Sequence, residues 1–206
     1  MKTLRKIDIE SMETELQVLA SEKQSSIVGG IFTTSCDPTT IRNDCSLSVV
    51  AYLTGQDIDT VKNQFATDYA NEYFDAYGTT KGKDWNGYYN DAMTKISQGN
   101  LTSGVTDARV VELLNECGSS EYKETDVKNK YDSSVENSII KELSSAGSGN
   151  AGIYAGLVIS GNGSGSTTIN HSVAITGYNS GTFTYYDPQN NCTGTFNWED
   201  LNHVIM

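Results

Sequence analysis

His171-Ser172-Val173-Ala174-Ile175-Thr176-Gly177-Tyr178-Asn179-Ser180-Gly181-Thr182-Phe183-Thr184-Tyr185-Tyr186-Asp187-Pro188 is the stretch whose reading decides the fold. Two runs rich in β-branched and aromatic residues flank the turn signal Tyr178-Asn179-Ser180-Gly181, so the segment reads as a β-hairpin. Folding at that turn brings Asp187 back beside His171, sixteen positions upstream of it. A carboxylate beside an imidazole is half of a nucleophilic site. The other half is a thiol that can ionise, and Cys45, preceded by Asp44, is the candidate. Such chemistry needs a thiolate, an imidazole to take its proton, and a third polar group to hold the imidazole's tautomer. Cys45, His171 and Asp187 are the candidates for those three roles.

Outward from the hairpin, Ile153 to Ile159 and Thr193 to Trp198 also read as strands. The upstream half is helical in pattern. Leu47 to Leu53 is apolar enough for a buried helix, and Cys45 stands at its N-terminus, where the helix dipole favours a thiolate. Asp57 to Ala76 carries Val61, Phe65, Tyr69 and Tyr73 at spacing four, and helices follow over Trp85 to Ile96 and Val105 to Cys117. Ser133 to Leu143 makes another, with Ser133 or Ser134 as its cap. Helices first and strands second predict an α+β fold in which Cys45 lies on the helical half and His171 with Asp187 on an antiparallel sheet. The tyrosines at 69, 73, 77, 88 and 89 read as a packing stripe with wet hydroxyl tips. His203, the second of two histidines, reads as structural.

The chain has 206 residues, enough for one core, and a formal charge of −12. That charge repels a phosphate backbone, and no Lys or Arg cluster offsets it, so nucleic acid is not an expected partner. No apolar run reaches the roughly 18 residues that a membrane span needs, and membrane insertion is not expected. The four cysteines, at 36, 45, 117 and 192, are too scattered for a metal motif. No metal and no cofactor is expected. With Cys45 reserved as a free thiol, at most one disulfide forms among Cys36, Cys117 and Cys192, and the spacing does not choose the pair. The glycine-rich segment Gly161 to Ser166 reads as a mobile linker, since neither a Lys nor a helix follows it.

Near the N-terminus, Ile9, Met12, Leu16 and Leu19 form a short amphipathic helix pattern, followed by polar residues and then Ile27-Val28-Gly29-Gly30. No apolar core of a signal peptide is present. The segment resembles a double-glycine leader, the type carried by bacteriocins and other cargo of peptidase-containing ABC transporters. That resemblance implies a leader over 1–30, cleavage after Gly29-Gly30, a mature domain over 31–206, and secretion after leader removal.

Asp44-Cys45, His171-x-Val173, Gly177 and Asp187-Pro188 together resemble the papain-like cysteine peptidases, most closely the C39-like branch. The resemblance spans roughly residues 36 to 200. It implies a papain-like fold with the nucleophile helix packed on the sheet, and a bacterial enzyme acting on a peptide or protein substrate. Cys45 would be the nucleophile, His171 the general base and acid, and Asp187 the orienting residue. The family's usual Gln a few residues before the Cys is missing, because no Gln lies between Gln24 and Gln56. Either Asn43 supplies the oxyanion-hole donor, or the hole is incomplete; one such donor is typically worth about 2.7–4 kcal/mol in the transition state. C39 peptidases cut after Gly-Gly, so cleavage of its own leader after Gly30 is a further expectation. The alternatives are an exported toxin or interaction protein on an inactive scaffold, and an acyltransferase or deamidase using the same three residues.

Overall fold

The 12 residues Thr168–Asn179 and the six residues Thr182–Asp187 form two antiparallel strands joined by Ser180-Gly181. Both turn residues have positive φ, 49° at Ser180 and 91° at Gly181, the backbone that a tight two-residue hairpin requires. The computed structural model describes residues 44–98, 105–118, 121–128, 130–145, 152–160 and 168–206. All of them belong to one compact unit, residues 34–206. The segment 1–30, Cys36, Asn43 and the glycine-rich linker lie outside the described residues.

Five helices and six strands are described. In chain order they are α1 (Cys45–Thr54), α2 (Ile58–Tyr77), α3 (Trp85–Ser97), α4 (Asp107–Cys117), β1 (Glu124–Asp126), α5 (Ser133–Ser145), β2 (Ile153–Ser160), β3 (Thr168–Asn179), β4 (Thr182–Asp187), β5 (Cys192–Asn197) and β6 (Leu201–Ile205). The strands form one sheet in the order β1-β6-β2-β3-β4-β5, with every pair antiparallel. The α+β expectation is met. Strands β1 and β6 were not anticipated, and β6 sits inside the sheet between β1 and β2. Its five residues are too few for alternation to declare itself, and pairing with β2 makes them a strand.

Side-chain oxygens satisfy the first amides of the helices. Asp57 accepts from Asp59 N, Asp84 from Gly87 N, and Thr106 from Arg109 N. On α5 the capping oxygen belongs to Asp132, not to Ser133 or Ser134, because Asp132 Oδ1 receives the amides of Ser134 and Val135. α1 stops at Gly55, whose φ of 67° is the left-handed conformation of a helix C-cap.

The sheet separates two apolar cores. On one face, Leu47, Val50 and Phe65 pack with Leu113 and Leu114 against Tyr154, Ala174 and Ile205. On the other, Ile139 of α5 joins Ile153, Leu157, Val173, Ile175 and the aromatic cluster Phe183, Phe196 and Trp198. Successive residues of β2 and β3 alternate between the faces, as a pleated strand demands. The tyrosine stripe packs α2 against α3: Tyr69 stacks on Tyr73 at 4.2 Å, Tyr73 meets Tyr88 at 5.9 Å, and the Tyr88 hydroxyl donates to Gly78 O. Among the described residues no helix is long and apolar enough to cross a membrane.

His203 is buried where β6 crosses β2. A Cβ built on Gly156 would lie 2.0 Å from its Cε1, so the ring occupies the space that any larger residue would need. The same ring stacks on Tyr154 at 5.9 Å. Gly156→Ala therefore forces the imidazole out of its seat, and the expected cost is about 3 kcal/mol, the upper part of the usual overpacking range. A guanidinium denaturation midpoint no lower than that of the wild type would refute this packing.

Candidate active site

Asp187 ends β4 with its carboxylate fully enclosed, and the turn that follows holds it. Oδ1 accepts the backbone amides of Gln189 at 3.0 Å and Asn190 at 3.2 Å. Oδ2 accepts from the Asn190 side-chain amide at 2.7 Å and from His171 Nε2 at 2.7 Å. Both His171 and Asp187 side chains have zero exposure. The tautomer of His171 follows from this contact: Nε2 faces a carboxylate and carries a proton, which leaves Nδ1 as the acceptor nitrogen.

A bulge makes the pair possible. Near the turn the register runs Asn179↔Thr182, Tyr178↔Phe183 and Gly177↔Thr184, but beyond it Ile175 faces Tyr185 and Ala174 faces Tyr186. Thr176 is the extra residue. Continuing the shifted register sets Asp187 opposite Val173, whose side chain shares the face of His171. Without the bulge Asp187 would oppose Ala174, on the other face, because a one-residue slip turns every side chain over.

β4 pairs with β3 only from Ala174 onward, so the edge of β3 at His171 and Ser172 is not taken by β4. The start of α1 lies against that edge. Cys45 is buried there, with 9% exposure. Nδ1 of His171 is buried without a hydrogen-bond partner, so it and the thiol stand in electrostatic contact short of a regular hydrogen bond.

The electrostatics favour charge separation. Burial pushes the Cys45 thiol up, but His171, and then the hydroxyl and backbone amide of Ser172, bring it below its ordinary value. For His171, burial works against the imidazolium; the hydrogen bond to Asp187 and the contact with Cys45 outweigh it and push the imidazole up to about 9. Burial would raise Asp187, yet His171 and then Asn190 hold it below the usual carboxylate range. A lowered thiol beside a raised imidazole is the electrostatic signature of a thiolate–imidazolium pair. Cys117, the other free thiol among the described residues, is pushed up by burial and then by Glu116 and Asp68.

Several contacts around the pair carried no signal in the sequence. Asp44 does not cap α1. Its carboxylate instead accepts from Gln189 Nε2 at 2.9 Å and pairs with Lys62 at 3.1 Å, tying the residue before Cys45 to the turn after Asp187. A cleft of about 470 Å³ runs beside this tie, lined in part by Asp44, Tyr52, Ile58, Lys62, Pro188 and Gln189. On the other side, the hydroxyls of Ser46, Ser172 and Tyr154 form a buried triangle. These contacts are long-range, so only folding assembles them. Cys192 is disulfide-bonded, and it pairs with Asp187 across β4 and β5. Asn43, Gly29 and Gly30 also lie outside the described residues, and among those described no group of three His, Cys, Asp or Glu side chains could hold a metal ion. No family model, curated protein or solved structure matches the chain.

Proposed function

We propose that the chain is a papain-like cysteine peptidase of C39-like type, in which Cys45 attacks a peptide carbonyl. The observation that carries the reading is the buried His171, bonded through Nε2 to Asp187 and electrostatically coupled to the Cys45 thiol at a helix N-terminus. The helix-then-sheet order supports the papain-like arrangement. In the reaction, Cys45 Sγ bonds to the carbonyl carbon while the C=O electrons move to oxygen. Collapse of that intermediate breaks the C–N bond, and His171 gives its proton to the leaving amine. Water, deprotonated by the same imidazole, then hydrolyses the acyl-enzyme. Asp187 stays ionised throughout and stabilises the imidazolium. The Cys45 amide, at the positive end of α1, and Asn43 are the proposed donors to the oxyanion.

Acyl transfer and deamidation use the same acyl-enzyme and differ in what enters or leaves it. Export through a peptidase-containing ABC transporter, with removal of residues 1–30 by this enzyme or by the transporter, belongs to the same proposal; the disulfide at Cys192 accords with an oxidising compartment.

Iodoacetamide labelling followed by peptide mass spectrometry tests the reading at one atom. Cys45 is expected to label rapidly well below pH ~8.5, the ordinary thiol range. In His171→Ala the rate at pH ~6.5 should fall roughly tenfold or more as the thiolate loses its counter-charge. Cys117 should label slowly in both proteins and serves as the internal reference. Labelling of Cys45 at an ordinary thiol's rate, indifferent to His171, would instead support an inactive scaffold exported as a toxin or interaction protein.

A further inference from the structure

Ser46 follows Cys45 on α1, and Ser172 follows His171 on β3. Their hydroxyls meet at 2.9 Å, and Tyr154 of β2 closes the triangle at 3.1 Å to Ser46 and 2.7 Å to Ser172. All three residues are buried. A buried polar group is costly unless bonded, so a closed set of three hydroxyls between apolar layers demands a reason beyond packing.

Counting protons suggests one. Three hydroxyls carry three protons for three contacts. Tyr154 donates to Ser46; the ring closes if Ser46 donates to Ser172 and Ser172 to Tyr154. If Ser172 turns its proton elsewhere, Tyr154 and Ser46 keep their donations, and only an acceptor site on the Tyr154 oxygen is left unfilled. No donor is orphaned, which is the cheaper kind of defect. A thiolate next to Ser172 supplies the alternative acceptor, and a bond to an ionised acceptor is roughly twice as strong as a neutral one. Tyr154 is itself held by the stacked ring of His203, at 5.9 Å, so the triangle has a rigid base.

We infer that Ser172 is a positioning residue for the nucleophile: Ser46 and Tyr154 hold its hydroxyl at the junction of α1 and β3, and it turns toward the Cys45 sulfur when that sulfur ionises. This inference rests on the reading of Cys45 as an activated thiol. The influence of the Ser172 hydroxyl and backbone amide on Cys45 ionisation agrees with the geometry.

The test is the pH profile of Cys45 alkylation by iodoacetamide in Ser172→Ala, Ser172→Thr, Ser46→Ala and Tyr154→Phe, with Cys117 labelling as the check on folding. Loss of one bond to a charged acceptor corresponds to a shift of about one to two pH units. Ser172→Ala should move the Cys45 midpoint upward by that amount, and Ser172→Thr, which keeps the hydroxyl, should restore it. Ser46→Ala and Tyr154→Phe leave Ser172 its proton but loosen its seat, so each should move the midpoint upward by clearly less than Ser172→Ala does, while losing stability. An unmoved midpoint in Ser172→Ala, or an equal shift in all three deletion variants, would overturn the inference. A wild-type midpoint at the ordinary thiol value, insensitive to His171→Ala, would instead overturn the peptidase reading beneath it.

Discussion

Asp187→Ala is expected to destabilise the protein by about 3–5 kcal/mol, the usual cost of removing one partner from a buried ion pair. Asp187 has zero exposure and accepts four hydrogen bonds, so its loss removes an acceptor from the His171 imidazole, the Asn190 side chain and two turn amides together. The effect depends on pH with a definite sign. His171 is raised in the fold from 6.5 to about 9, so its contribution is full below 6.5 and is lost as pH rises through about 9. Asp187 is held below 3.8, so its contribution is present above 3.8 and is lost as pH falls through the depressed value. The difference between wild type and variant should therefore be widest between about pH 4 and 6.5 and narrow toward both ends. Asp187→Asn keeps the shape but sets an NH2 donor where one carboxylate oxygen accepted two N–H groups, so it should recover only part of the stability while the imidazole titrates nearer its ordinary value. Guanidinium unfolding at several pH values, with the disulfide kept oxidised, measures both variants; a loss in Asp187→Ala below about 1 kcal/mol and flat with pH would mean that the pair carries no such linkage.

Phe183→Ala should cost about 3–5 kcal/mol, a large share of the 5–15 kcal/mol by which native proteins are stable. The ring is fully buried, with Tyr178 and Phe196 at 4.8 Å and Trp198 at 4.9 Å between ring centres. No neighbour is small or loose enough to fill the vacated space, because the cluster is itself made of rings. The position matters to the site as well as to the fold. Phe183 anchors β4, and β4 carries Asp187 to His171. Unfolding midpoints measure the first effect, and slower Cys45 alkylation at neutral pH, in protein still folded, the second. A midpoint within about 1 kcal/mol of wild type would show that the cluster collapses around the gap.

Legibility in the sequence followed the range of the interactions. α2, α3 and α4 were readable because each carries its own apolar period and its own cap within a few residues, as with Asp57, Asp84 and Thr106. The β3–β4 hairpin was readable because its turn is local and its strands are β-branched and aromatic. β6 was not, since five residues become a strand only by pairing with β2. The cap of α5 was misplaced by one or two residues because Asp132, Ser133 and Ser134 are all competent cap residues, and only the folded backbone chooses among them.

The candidate site divides along the same line. From the sequence alone came the α+β order, the hairpin that returns Asp187 to His171, and Cys45 at the start of a buried helix, because these rest on residue type, period and one short turn. Tertiary structure alone decided the rest. The extra residue at Thr176 turns Asp187 onto the face of His171, although nothing in the strand's composition marks where a register will slip. Ser46 meets Ser172 from 126 residues away, and Asp44 meets Gln189 from 145. No local pattern encodes such pairs, since each exists only after α1 has docked on the uncovered edge of β3.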